Sequence, residues 1–208
     1  MEVISDYIST MPREITCEEF LEGITRHIHY IYSSRKADLE RARLHPECRL
    51  TASAAIYSAY HRQVWLVGDC QAIVDGQRHG NEKPHEHDIA ARRAEYIKEG
   101  VSPQEARRRI VPLLLETMRG QNVSYAVIDG FPVFREGVKM IPVKGGEVIL
   151  ATDGFPFLCP TLRESETMLS HQLVTDPQNV RCFLATKGLE PGNVSFDDRA
   201  YVRIRVDD

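Results

Sequence analysis

Gly146-Glu-Val-Ile-Leu-Ala-Thr-Asp-Gly154 is the stretch of sequence that decides the fold. Its residues from Val148 to Thr152 are uncharged and either apolar or β-branched, which predicts a strand that is buried on both faces. The strand ends in Asp153-Gly154, where an acidic side chain precedes a residue that permits a tight turn. A carboxylate at the end of a buried strand needs a partner. Two interpretations therefore remain open, an ordinary strand-to-turn aspartate and a ligand of a divalent metal ion.

The composition is typical of a globular protein and excludes several classes. The chain has 208 residues, of which 42% are hydrophobic and 27% charged, with a net charge of −4. This length suits one domain with a sizeable core, and the weak negative charge excludes a strongly basic nucleic-acid-binding protein. The five cysteines are scattered without a Cys-x-x-Cys pair, which favours free thiols in a reducing compartment. Apolar runs are too short to span a membrane, so we expect a cytoplasmic protein without membrane or nucleic-acid partners.

The patterning divides a single domain, residues 1–208, into four consecutive parts. Residues 1–44 are predicted to be helical, 45–76 to form strands around a Val-Gly-Asp turn, 77–120 to form a helical insertion, and 121–208 to combine strands and helices. Capping boxes, in which Ser or Thr precedes Glu by three residues, mark helix starts at Thr16, Ser102 and Thr161.

Short apolar or alternating runs predict the strands. These runs are 50–60, 63–67, 72–74, 123–128, 131–134, 139–143, 147–152 and 200–206. A short helix is predicted within 177–188, and the polar segment 78–88 is predicted to be a loop. That loop contains His79, His85, His87 and Asp88. These side chains could bind a metal, but a loop does not fix their geometry, so a plain surface loop is the favoured interpretation.

Three acidic turns lie at the ends of predicted strands. They are Gly68-Asp69, Asp153-Gly154 and Asp197-Asp198. Carboxylates that converge from separate strand ends form an all-oxygen site suited to Mg²⁺ or Mn²⁺. Two such ions about 4 Å apart can activate a water molecule for in-line attack on phosphorus. The sequence therefore predicts a metal site built from these turns.

Four short motifs occur in an order that resembles the metal-dependent protein phosphatases, the type two C serine/threonine phosphatases. They are Leu50-Thr-Ala-Ser53, Leu66-Val-Gly-Asp-Cys-Gln71, Ile149-Leu-Ala-Thr-Asp-Gly154 and Ser195-Phe-Asp-Asp-Arg199. The resemblance extends over about residues 45–206. It implies an α+β fold, in which an antiparallel β-sandwich is flanked by helices in α-β-β-α order.

The resemblance also implies a site and a reaction. Asp153 and Asp197 would be ligands of Mn²⁺ or Mg²⁺, and Asp69 would be a more peripheral ligand, at a third metal. The neighbouring positions of these motifs are Gly68, Gly154 and Asp198. The implied reaction is hydrolysis of phosphoserine or phosphothreonine in a phosphoprotein, or of another phosphomonoester, by metal-activated water.

The sequence departs from the family pattern at its start. The early acidic strand and the Asp-Gly metal motif of the family have no counterpart, because Met1-Glu-Val-Ile4 already resembles the helix that follows them. The bridging aspartate and the phosphate-binding arginine of that region are thus missing, and Gln71 replaces a further arginine. We therefore expect an N-terminally truncated version of the fold with an incomplete two-metal site.

Two other functions remain open. One is a non-catalytic phosphatase-like module that binds a phosphorylated or protein partner. The other is a nucleotide- or sugar-phosphate-binding α/β protein, which is disfavoured because the chain has no Gly-x-Gly-x-x-Gly or Gly-x4-Gly-Lys loop. If strands are missing, open sheet edges predict homo-oligomers formed by strand addition.

Overall fold

The computed structural model describes residues 2–207, which form six α-helices and seven strands. The helices are α1 (Glu2–Thr10), α2 (Cys17–Ser34), α3 (Leu39–Leu44), α4 (Glu86–Lys98), α5 (Pro103–Arg119) and α6 (Leu162–Thr175). The strands are β1 (Ala54–Ser58), β2 (Gln63–Val67), β3 (Gln71–Val74), β4 (Gln77–Gly80), β5 (Lys139–Pro142), β6 (Gly146–Ala151) and β7 (Tyr201–Val206). The predicted α+β class is thus confirmed. None of the helices within 2–207 is long and apolar enough to cross a membrane.

The strands form two antiparallel sheets. One sheet has the order β1-β2-β5 and the other has the order β4-β3-β6-β7. Each neighbouring pair in both sheets is antiparallel. The strand predicted from the opening stretch, β6, lies inside the four-stranded sheet between β3 and β7, as its uninterrupted apolar sequence requires. The outer edges belong to β1, β5, β4 and β7, and self-association through them stays a prediction.

The two sheets pack face to face around one apolar cluster. Its buried side chains come from both sheets, and they are Val64, Leu66, Cys70, Ala72, Val74, Ile141, Val143, Val148 and Leu150. Partly buried residues of β1 and β7 pack against the same cluster. Because one core takes side chains from six of the seven strands, all except β4, the sheets form a sandwich.

Different structures cover the two outer faces of the sandwich. On the three-stranded sheet, Phe20 and Ile24 of α2 pack with Trp65 and Val67 of β2, and the rings of Phe20 and Trp65 are 6.0 Å apart. On the four-stranded sheet, Ile149 and other side chains pack against Phe155 and Leu158, in the segment between β6 and α6. The first three layers of the expected α-β-β-α order are therefore present, and a non-helical segment provides the apolar contacts on the fourth side.

All three residues predicted to begin helices do so, but only Thr16 and Thr161 form complete capping boxes. The Thr16 hydroxyl accepts a hydrogen bond from the Glu19 amide while the Glu19 carboxylate accepts one from the Thr16 amide, and Thr161 and Glu164 do the same at α6. Ser102 accepts from the Glu105 amide at α5. These contacts satisfy amides that have no partner within the first helical turn.

Several predicted boundaries were wrong. The strand predicted over 50–60 is limited to β1, and the predicted loop 78–88 contributes residues to β4 and α4. β4 was missed because its sequence is polar, which an exposed edge strand tolerates. Asp75 and Gly76 both have positive φ, 49° and 76°, and form the two-residue turn that returns the chain into β4.

The strands predicted at 123–128 and 131–134 are absent, and so is the short helix within 177–188. In both regions a side chain takes the place of a regular backbone partner. Asn122 Oδ1 accepts hydrogen bonds from the amides of Val127 and Phe134. The carboxylate of Asp176 accepts from the amides of Val180 and Arg181. Asn and Asp side chains compete with secondary structure in this way.

Candidate functional site

The register of the sheets brings the three acidic turns to one end of the sandwich. In antiparallel pairs the end of one strand lies beside the start of its neighbour. At this end of the molecule the opposed pairs are Ala54 with Val67, Gln71 with Gly80, Gln71 with Ala151, and Ala151 with Tyr201. Asp69, Asp153 and Asp197 lie just outside these pairs. The structure therefore places the three predicted ligands at the same end of the fold.

Asp69 is held by two polar partners. Its Oδ1 accepts a hydrogen bond from Ser53 Oγ at 2.5 Å, and its Oδ2 forms an ion pair with the Lys83 ammonium group. Burial alone would raise the pKa of Asp69, but Lys83 and Ser53 outweigh it, so that pKa lies below its ordinary value. Gly68 has φ +76°, and a Cβ there would lie 2.2 Å from Ser53 Oγ. Glycine at 68 therefore permits the contact between Ser53 and Asp69.

Asp153 lies beside the Asp197-Asp198 turn because β6 and β7 remain paired beyond their ends. The Thr152 amide donates to the Ala200 carbonyl at 3.2 Å, and the Ala200 amide donates to Thr152 Oγ1 at 3.0 Å. A Cβ on Gly154 would lie 2.3 Å from the carbonyl oxygen of Asp198. Glycine at 154 is thus required for this close approach of two backbones.

Asp197 is paired with a lysine as well. Its Oδ2 forms an ion pair with the Lys187 ammonium group, and its Oδ1 accepts from the Asp198 amide at 2.9 Å. Asp198 itself is exposed, and it contacts Gly154 through its backbone. Asp197 is therefore the better placed of the two acids to face the end of the sandwich, where Asp153 lies.

The three carboxylates influence one another electrostatically. The Asp153 side chain reaches solvent on one side, but the surrounding protein still raises its pKa. The negative charges of Asp69 and Asp197 add to this effect, while Lys83 and Lys187 oppose it, and the resulting pKa is about 6. Excess negative charge of this kind is what a bound cation relieves.

An open cavity of about 820 Å³ borders the carboxylates. Its wall includes Asp69, Asp153 and Asp197 together with Lys83, Lys187 and Arg78. Arg78 Nη2 donates to Gln71 Oε1 at 2.5 Å, and Gln71 Nε2 donates to the carbonyls of Thr152 and Phe155. Gln71, where the phosphatase pattern has arginine, therefore fixes the β6 end and holds a guanidinium group at the cavity wall.

The segment that carries Lys187 is held in place by the helical hairpin of α4 and α5. Arg93, which is 2% exposed, donates to the carbonyls of Gln178 and Ala185 at 2.7 and 3.3 Å. Arg107 donates to the carbonyl of Thr186 at 2.8 Å. The two arginines thus position the chain immediately before Lys187.

Sequence reasoning missed Ser53, Lys83 and Lys187 as functional residues. Ser53 ends the motif Leu50-Thr-Ala-Ser53, and its hydroxyl was a signal that it could bind a carboxylate. Neither lysine belongs to a motif. His79, His85 and His87, which belong to the segment 78–88 that was predicted to be a plain surface loop, line the same cavity.

The chemistry of the donor set fits a hard divalent cation, because all three acids offer oxygen ligands. As the side chains stand, no three His, Cys, Asp or Glu side chains within residues 2–207 are grouped closely enough to hold a metal ion. Two of the three acids are instead bonded to lysines. The metal site stays a prediction.

Comparison with known proteins adds no assignment. No protein-family model, curated protein or solved structure matches this chain. The function must therefore be argued from the geometry of the acidic end of the sandwich.

Proposed function

We propose that the protein hydrolyses phosphomonoesters, with phosphoserine or phosphothreonine in proteins as the substrate class and Mn²⁺ or Mg²⁺ as the cofactor. The observation that carries the proposal is the position of Asp69, Asp153 and Asp197 at one end of the sandwich beside an open cavity. When bound there, a divalent cation lowers the pKa of a water molecule and neutralises phosphate charge. The type two C phosphatase resemblance supports the same reaction.

In this proposal, different residues bind the metal ion and the phosphate group. Asp153 would be the central ligand, because among the described residues its carboxylate has no ion pair of its own. Asp69 and Asp197 would complete the acidic wall on either side. Arg78 would bind the phosphate of the substrate, because its guanidinium group pairs with neutral oxygens at the cavity wall and retains its positive charge for an anion.

The second candidate function is a phosphatase-like module that binds a partner without catalysis. The observation that favours it is the pairing of Asp69 with Lys83 and of Asp197 with Lys187, which already neutralises two of the three acids. In this candidate the same cavity would bind a phosphorylated segment through Arg78 and release it unchanged.

The test is hydrolysis of p-nitrophenyl phosphate and of a phosphothreonine peptide, with Mn²⁺ and after its removal by a chelator. We expect metal-dependent turnover that Asp153→Asn reduces by about 100-fold or more, because loss of even the outer-shell partners of metal ligands costs about 10- to 100-fold. Asp75→Asn is the matched control. Asp75 follows β3 at the end opposite Asp69, and its turn conformation, φ 49°, accepts asparagine.

Turnover that needs no metal, or that Asp153→Asn leaves intact, would contradict the hydrolase proposal. Absence of turnover combined with saturable binding of the intact phosphopeptide would favour the binding module. Both variants must unfold at denaturant concentrations close to that of the unchanged protein, so that a loss of activity reports on the site.

A further inference from the structure

We propose that Lys83 and Lys187 act as built-in cations of the acidic site and compete with the divalent metal ion for Asp69 and Asp197. The inference rests on the proposed function, because it concerns the same three carboxylates, and it specifies how their occupation by metal is controlled. In this arrangement the site is stable without metal, and a metal ion binds by displacing ammonium groups.

The Lys83 pair is the more enclosed of the two. Only 33% of the Lys83 side chain and 17% of the Asp69 side chain are exposed. The hydroxyl of Ser53 donates to the other oxygen of the same carboxylate, so both oxygens of Asp69 are occupied. A metal ion that used Asp69 would have to replace at least one of these partners.

The Lys187 pair is more open, with 39% of Lys187 and 37% of Asp197 exposed. Its geometry depends on the α4–α5 hairpin, because Arg93 and Arg107 bond to the backbone at Ala185 and Thr186. The Lys187 ammonium group is therefore held in place by a segment that the buried Arg93 and the partly buried Arg107 anchor.

The two ammonium groups explain why the acids can share one end of the fold. Unpaired carboxylates at close range repel one another, and a cation between them removes the repulsion. Here Asp69 and Asp197 each pair with a lysine. Asp153 is influenced by both pairs, because Asp69 and Asp197 raise its pKa while Lys83 and Lys187 lower it. A lysine ammonium group offers one positive charge, whereas Mn²⁺ offers two and can bridge several oxygens. The higher charge of the metal ion therefore favours its binding, whereas the need to break the two existing ion pairs opposes it.

The experiment is a calorimetric titration of the metal-free protein with Mn²⁺ alone, for the unchanged chain and for Lys83→Met, Lys187→Met and Lys98→Met. We expect Lys83→Met to tighten Mn²⁺ binding by about tenfold, which corresponds to about 1.4 kcal/mol. Lys187→Met should tighten it by about two- to fivefold, as an exposed pair is worth less. Lys98→Met, at the exposed end of α4, is the matched control and should leave the affinity unchanged.

A second measurement follows thermal unfolding without metal. Lys83→Met should lower the melting temperature, because it leaves Asp69 without its counter-charge, and Mn²⁺ should restore more stability to this variant than to the unchanged protein. If Lys83→Met does not fold, Lys83→Gln replaces it, since glutamine can donate a hydrogen bond to Asp69 without carrying charge.

The outcomes separate the inference from the proposed function. Tighter Mn²⁺ binding by the lysine variants without any phosphatase activity would support the competition and contradict the hydrolase. Metal-dependent hydrolysis with Mn²⁺ affinities that the lysine substitutions leave unchanged, or weaken, would overturn the competition and leave the hydrolase standing. Absence of Mn²⁺ binding by every variant would overturn the competition.

Discussion

Two identical dipeptides, Asp129-Gly130 and Asp153-Gly154, have opposite environments in this molecule. Asp129 is completely buried, and its carboxylate accepts hydrogen bonds at 2.9 Å from Arg49 Nη1, Asn122 Nδ2 and the Phe131 amide. Asp153 is exposed at a cavity wall beside two other acids. Burial raises the pKa of both aspartates, but only at Asp129 do direct hydrogen bonds to Arg49 and Phe131 oppose it.

The difference shows how an aspartate that stabilises the fold can be distinguished from one that is accessible to a ligand. At Asp129 all donors come from the protein itself, and Arg49 also lies 3.8 Å above the ring of Phe131, so nothing is left for a ligand. At Asp153 no donor from the described part of the chain occupies the carboxylate, and the negative charges of Asp69 and Asp197 are only partly offset by Lys83 and Lys187, so a ligand of positive charge would be stabilised. The same residue type at the same kind of turn therefore supports the fold in one place and remains accessible to a ligand in the other.

The largest effect on stability is expected from Asp129→Ala. The substitution leaves the Arg49 guanidinium group, which is 7% exposed, buried without its counter-charge. Breaking a buried pair from one side costs about 3–5 kcal/mol. Urea unfolding should show this loss, whereas Asp153→Asn should show none of comparable size.

The double variant Arg49→Met/Asp129→Ala sharpens this comparison. Because neither charge then remains buried alone, the double variant should be more stable than Asp129→Ala alone. A double variant that is as unstable as the sum of both single variants would mean that the pair contributes through packing, and the contrast with Asp153 would lose its electrostatic basis.

A smaller loss of stability is expected from Gly154→Ala, which changes the dipeptide Asp153-Gly154. The added Cβ would lie 2.3 Å from the Asp198 carbonyl oxygen and 2.9 Å from the Arg199 side chain. We expect a stability loss of about 1–3 kcal/mol, as for other overpacked positions, and weaker Mn²⁺ binding because Asp153 moves away from Asp197. Calorimetry and urea unfolding measure the two effects.

Gly80→Ala is the control for that substitution. Gly80 lines the same cavity, but the nearest atom to an added Cβ is 4.0 Å away, so stability and Mn²⁺ affinity should change little. If both glycine substitutions reduced stability and Mn²⁺ affinity equally, the close approach of Gly154 to the Asp198 backbone would not be the cause of the losses.

Much of this architecture could be predicted from the sequence because its signals are local. The uncharged run of β6 requires burial, and capping residues such as Thr16 and Thr161 act within one turn of helix. The common end of Asp69, Asp153 and Asp197 was predictable as well, since each follows or precedes an apolar strand and antiparallel neighbours align such ends.

The remaining features depend on where loops run through space. Lys83 and Asp69 are 14 residues apart, and only the path of the chain around β4 brings them together. Lys187 reaches Asp197 because Arg93 and Arg107, far away in sequence, hold its segment. Asn122 replaced a predicted strand by satisfying backbone amides with its side chain. Contacts of this kind carry no periodic signal.

The smallest effect concerns the pH dependence of stability and tests Asp153 directly. Its pKa in the folded protein, about 6, lies above the ordinary value of 3.8. The folded state therefore binds this proton more tightly than the unfolded state, so the contribution to stability is present at low pH and is lost as the pH rises from about 3.8 to about 6. The Asp153→Asn variant does not lose stability in this way, because asparagine does not titrate.

Urea unfolding in the presence of a chelator tests this expectation. The stability of the variant relative to the unchanged protein should increase between pH 5 and pH 7 and stay constant to pH 8. A difference that is constant with pH, or that falls, would mean that burial and the charges of Asp69 and Asp197 do not raise the pKa of Asp153 in the folded protein.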